Sequence, residues 1–272
     1  MSSNDPRRIV RSYEQELNQL RAMMARMGGM VESQTANALA AVLNRDSEAA
    51  QQAMEQDPEV DAVERDVEGR AIRMLALRAP MAQDLREIVS ALKVTSDLER
   101  IGDYAANIAK RSLRIGSGDA GLSLGALRNM GRLVQESLRL AIDALSQNDE
   151  AKAIEVWNSD KAVDELYNSM FRELITYMME DPRNISSCTH LLFIAKNLER
   201  IGDHCTNIAE QVHYSVTGEL LPAARPRGGQ GSERGFHLDP DDPEEGAQDD
   251  RDRDPARGVS DQGPAGPELG SR

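Results

Sequence analysis

The sequence predicts an all-α protein: two tandem, pseudo-symmetric three-helix bundles followed by a disordered C-terminal tail. Three observations lead there: a helix-favouring composition poor in aromatics, an internal repeat, and an abrupt change of composition after Leu221. The 272 residues are rich in Ala, Leu, Met, Arg and Glu, and the aromatics are Trp157, five Tyr and three Phe. A core with so few rings must be built from aliphatic side chains and Met, as helical bundles are, rather than from the β-branched and aromatic residues that fill sheets.

The repeat governs the organisation. Asp46, Asp57 and Asp61 each recur 103 positions later, as Asp149, Asp160 and Asp164. Leu98-Glu99-Arg100-Ile101-Gly102-Asp103 recurs letter for letter 100 positions later as Leu198-Glu199-Arg200-Ile201-Gly202-Asp203. The chain is two copies of one module, 9–116 and 122–218. In the first copy, helices are expected over Ile9–Leu43, Ser47–Arg78 and Ala82–Leu113, with breaks at Asn44-Arg45-Asp46 and Ala79-Pro80 and an end at Gly116-Ser117-Gly118. In the second copy they are expected over Leu122–Leu145, Glu150–Met179 and Ser186–Val216. Short turns make consecutive helices antiparallel neighbours. Val94, Leu98, Ile101, Ala105 and Ile108, and again Ile194, Leu198, Ile201, Cys205 and Ile208, fall at helical spacing and mark the core seam.

From Pro222 to Arg272 the chain holds seven of its eleven prolines, many glycines and acidic clusters such as Asp239-Pro240-Asp241-Asp242. Such a segment buries too little apolar surface to offset the entropy of ordering, and it is expected to be a disordered tail, 222–272. The formal net charge of −14 disfavours nucleic acid, since no basic surplus exists to displace counterions. It also disfavours direct adhesion to anionic lipid. Cys188 and Cys205 are the only cysteines and form no CxxC pair, so no disulfide framework is expected. No hydrophobic leader and no stretch of about 20 apolar residues is visible. The expected location is the cytoplasm, with the inner membrane reached only through a partner and no direct insertion.

The candidate site residues are acidic pairs at i, i+4: Asp57/Asp61 and Glu99/Asp103 in the first module, Asp160/Asp164 and Glu199/Asp203 in the second. That spacing puts both carboxylates on one helix face, with Cβ atoms roughly 5–6 Å apart. Asp61 lies 19 residues before Pro80 and Glu99 19 after it. In an antiparallel hairpin both stand about 28 Å from the turn, so two acidic pairs meet at one level. Hard oxygen donors without sulfur or imidazole suit Mg²⁺, Ca²⁺, Mn²⁺ or oxidised iron better than a closed zinc site. Against this, Glu99, Asp103 and Asn107 flank the core stripe where solvated charges normally sit, and Arg100 and Arg200 are placed to neutralise the patches.

Other residues point to less. Cys205 lies on the core stripe, so the His204-Cys205 neighbours read as packing rather than a zinc pair. Glu210 and His213 form one Glu-x-x-His, but Lys110 and Leu113 stand at the matching first-module positions, and a di-iron bundle needs two such motifs. Met23, Met24, Met27 and Met30 read as core filling. Gly28-Gly29 inside a helix signals close packing or a kink. No phosphate loop, nucleophile elbow or HExxH motif is present.

Met27-Gly28-Gly29-Met30-Val31-Glu32, Asp84-Leu85-Arg86, the doubled Leu-Glu-Arg-Ile-Gly-Asp and the run Asp203 to Glu210 resemble the PhoU family, over roughly Tyr13 to Gly218. The resemblance implies two pseudo-symmetric three-helix bundles, homodimerisation and a non-enzymatic role as negative regulator of the phosphate regulon. It implies two partners, the ATPase subunit of the phosphate ABC transporter (PstB type) and the PhoR-type sensor histidine kinase. It also implies metal binding (Fe, Mn, Mg or Zn) through Asp57, Asp61, Glu99, Asp103, Asp160, Asp164, Glu199 and Asp203. Asn184-Ile185-Ser186 stands where the second copy would repeat Asp84-Leu85-Arg86, and Lys110 where the first would match Glu210. Two other classes stay open on the residues alone, a carboxylate-bundle metalloenzyme and a purely structural helical scaffold.

Overall fold

Leu20, Met27 and Val31 occupy one face of the first helix and are fully buried, which shows how this sequence builds its core. The computed structural model describes residues 6–78, 80–115 and 124–222, and it places six α-helices there. They are α1 (Pro6–Leu43), α2 (Ser47–Arg78), α3 (Gln83–Ser112), α4 (Gly125–Gln147), α5 (Glu150–Glu180) and α6 (Ile185–Thr217), with a single 3-10 turn at Pro182–Asn184. All six belong to one compact unit. Every expected helix is present, with ends displaced by a few residues at most where they can be compared. The expected module end at Gly116-Ser117-Gly118, the helix start at Leu122 and the tail beyond Pro222 lie outside the described residues.

Each break has a local cause that the repeat preserves. Arg45 and Asn148, related by the same offset, both take left-handed backbone, at φ 56° and 51°. Each is followed by a capping aspartate. Asp46 Oδ1 accepts from the Glu48 and Ala49 amides at 3.0 Å, and Asp149 Oδ1 accepts from the Lys152 amide at 3.2 Å. These bonds satisfy donors that have no partner within the helix. Gly218, at φ 80°, ends α6.

Helices α1, α2 and α3 pack on one another, as do α4, α5 and α6, and the halves meet along α3 against α6 and α1 against α4. Asp97 pairs with Asn207 and Arg111 with Phe193, so α3 and α6 run antiparallel. The α1–α4 contact has a pseudo-two-fold pattern. A Cβ on Gly28 would stand 3.1 Å from Ile142, and one on Gly131 would stand 2.6 Å from Leu39. Gly28 and Gly131 are repeat counterparts, and so are Leu39 and Ile142. The missing side chain lets each helix seat the other's branched residue. Close packing is therefore the role of Gly28, and Met24 and Met27 are buried beside it as expected.

Candidate functional site

The half-buried carboxylates of the first half stand between α2 and α3. Asp57, Asp61 and Glu64 come from α2, and Glu99 and Asp103 from α3. Burial, then Asp103 and Glu64, push the Glu99 carboxyl from its ordinary 4.5 up to about 7, against the opposing pull of Arg100. Burial raises Asp57 as well, opposed by the Gln34 amide, which donates to Asp57 Oδ1 at 3.0 Å. Glu64 is raised by burial, then by Glu68 and Asp61. Cations are near but loosely set. Arg100 lies 3.8 Å from both Glu99 and Asp103, and Arg65 3.8 Å from Asp61. Asp61 also raises Glu99, the smallest of the causes.

In the second half Asp164, Glu199 and Asp203 are likewise half-buried, between α5 and α6. Asp160 lies within α5, and its side chain lies outside the described ones. The surroundings differ. Lys196 Nζ donates to Glu199 Oε2 at 2.6 Å and sits 5.3 Å from the Tyr167 ring centroid. The first half has Ser96 in place of Lys196 and Glu64 in place of Tyr167. Burial, then Glu199, raise the Tyr167 phenol. Arg200 lies over the Tyr104 ring, 5.5 Å from its centroid, across the seam between the halves.

Among the described residues, no three His, Cys, Asp or Glu side chains stand close enough together to hold a metal ion as they are placed. The first patch is a field of shared negative charge rather than a closed ligand cage. Sequence reasoning missed Gln34 and Glu64. Glu64 follows Asp57 and Asp61 on the same helical face, so the signal was present. Gln34 comes from α1, where no spacing links it to the acidic motif.

The remaining candidates settle into packing or into the seam. Cys205 is fully buried, as its place on the core stripe requires. His204 Nδ1 lies 2.7 Å from Asp97 Oδ1, which also accepts from Asn207 Nδ2 at 3.1 Å. His213 Nδ1 is 3.4 Å from Glu150 Oε1. Among the described residues, no helix is long and apolar enough to cross a membrane.

The PhoU domain matches the chain twice, over residues 24–112 and 127–212, so the six helices are two copies of that domain. A phosphate-specific transport system accessory protein PhoU homolog of Caulobacter vibrioides is 51% identical over 219 residues, covering 80% of this chain and 95% of the relative. The homolog of that description in Zymomonas mobilis is 46% identical, covering 78% and 90%. The crystal structure of PhoU from Pseudomonas aeruginosa superposes with a TM-score of 0.74 at 41% identity, over 76% of this chain and all (100%) of that one. The phosphate transport system regulatory protein PhoU from Streptococcus pneumoniae gives 0.72 at 32% identity. The chain belongs to the PhoU family.

Proposed function

We propose that this chain is a non-enzymatic accessory regulator of phosphate-specific transport, acting in the cytoplasm by binding other proteins. The observation that carries this reading is the match of both halves to the PhoU domain, together with relatives 51% and 46% identical over at least 90% of their own length that bear the accessory-protein description. Its finer form is an adaptor, working as a homodimer. It bridges the transporter's ATPase subunit and a PhoR-type kinase, stays at the inner membrane only through them, and keeps the kinase inhibited when phosphate is plentiful. Two halves with one fold and different side chains, Asp84-Leu85-Arg86 against Asn184-Ile185-Ser186, supply the separate surfaces that two partners require.

The carboxylate patches belong to the same proposal as sites for multivalent cations. Asp57, Asp61, Glu99 and Asp103, joined by Glu64, would hold the ion in the first half, and Asp160, Asp164, Glu199 and Asp203 in the second. The raised Glu99 carboxyl supports the first, because a cation would relieve the same repulsion that a proton relieves there. Lys196 already serves Glu199, which weights the proposal toward the first half.

A clean deletion in a strain with no second copy tests the regulatory reading. Alkaline phosphatase and phosphate-uptake genes should switch on in phosphate-rich medium, and the tagged protein should co-purify with the ATPase and the kinase. Unchanged repression contradicts the reading.

A further inference from the structure

The two halves differ where each seals its first helix against its second. In the first half, Gln34 Nε2 donates to the Ala53 carbonyl at 3.0 Å and Gln56 Nε2 donates to the Met30 carbonyl at 2.9 Å. Two long amides thus fill the α1–α2 contact and tie it. Their repeat counterparts are Ser137 and Ser159. The two hydroxyls lie 3.2 Å apart, and Ser159 donates back to the Val156 carbonyl of its own helix at 2.8 Å. Neither reaches the opposite backbone as the glutamines do. A groove of about 490 Å³ opens between α4 and α5, with Ser137 and Ser159 in its lining.

The groove has a definite chemistry. Leu133 and Leu140 are half-buried along it, and the first-half counterpart of Leu140 is Asn37. Glu136, Glu155 and Glu165 line its exposed edges. Lys161 lies 3.7 Å from Glu165 and Arg132 pairs with Glu136 at 2.7 Å, both on exposed helix surface where such pairs contribute little, while Glu155 makes no ion pair among the described residues. An apolar strip between acidic edges is complementary to a helix with one apolar face and flanking Lys or Arg.

We propose that the α4–α5 groove docks a basic amphipathic segment of a partner protein, with its apolar side chains against Leu133 and Leu140, one cation against Glu155, and others exchanging for Arg132 at Glu136 and for Lys161 at Glu165. The proposal rests on the reading of this chain as a binding protein, and it puts one partner surface in the second half alone.

The test uses the full chain and a fluorescein-labelled amphipathic helix of Leu and Lys, followed by fluorescence anisotropy. Ser137→Gln with Ser159→Gln restores the first-half residues and closes the groove without changing any charge. Binding should weaken at least about tenfold. Leu140→Asn should weaken it several-fold, and it serves as the second variant if the double substitution melts early. A matched Leu and Glu helix should not bind. Equal affinity of the parent and the groove-filled variants, or equal binding of the two helices, overturns the proposal, since general attraction to an acidic protein gives that result. The adaptor reading fails separately. If a clean deletion leaves repression intact, that reading falls while anisotropy still decides the groove. If deletion derepresses but the filled protein binds like the parent, the groove alone falls.

Discussion

At Glu99 the repeat leaves a carboxyl among other carboxyls, and at the equivalent Glu199 it supplies a lysine. The surrounding backbone is the same in both, six identical residues on the third helix of each half. Two of the differences outside the motif bear directly on the glutamate, Ser96 against Lys196 and Glu64 against Tyr167. In the first half the outcome is a carboxyl pushed up to about 7 by burial and by Asp103 and Glu64. In the second it is a 2.6 Å ion pair beside an aromatic ring. An identical motif therefore does not carry an identical site. Duplication preserved the scaffold, and flanking substitutions changed the chemistry that it presents.

The largest expected effect falls where the halves are alike. Leu98 and Leu198 are both fully buried on the seam helices. Leu98→Ala and Leu198→Ala should each destabilise by about 2–5 kcal/mol in chemical denaturation, through lost burial and the cavity left behind. The seam joins both halves into one unit, so each variant should still unfold in a single transition. Two separated transitions would show that the halves fold apart.

A smaller effect is expected where they differ. A carboxyl whose folded pKa is raised favours the protonated folded state, so its contribution is present below its ordinary 4.5 and is lost as pH rises through about 7. Glu99→Gln carries no such charge. The melting temperature of the variant minus that of the parent should therefore grow between about pH 4.5 and 8. A constant or shrinking difference contradicts the raised Glu99 carboxyl. The pH titration of Glu99 itself, followed by carbon NMR, gives an independent reading.

The smallest effect concerns the stretch that has no counterpart in either copy. Deleting 223–272 should leave the melting temperature within about a degree or two of the parent, as for loss of a segment without packed contacts. A clear drop would show that the segment docks on the bundle.

Much of this was legible in the residues. The 103- and 100-residue offsets paired the two helix triplets, and Asn44-Arg45-Asp46 marked the first break, because periodicity and turn residues are local properties. The acidic pairs were visible for the same reason. The inequality between the patches was harder to see. Lys196 lies three residues before Glu199, but an i, i+3 pair is common on any solvated helix and carries no weight until Glu199 is found half-buried. Gln34 and its counterpart Ser137 act across helices, and no periodicity within one helix reports such a contact.

The most direct test of the unequal patches exchanges the two residues that distinguish them, followed by titration with Mn²⁺ in a calorimeter. Ser96→Lys brings to Glu99 the cation that Glu199 already has, and Lys196→Ser removes it from Glu199. The expected result is loss of the tighter, first-half Mn²⁺ binding in Ser96→Lys and tighter second-half binding in Lys196→Ser, with helical content unchanged by circular dichroism. Unchanged binding in both variants, or loss only in Lys196→Ser, would contradict the assignment of the cation patch to the first half.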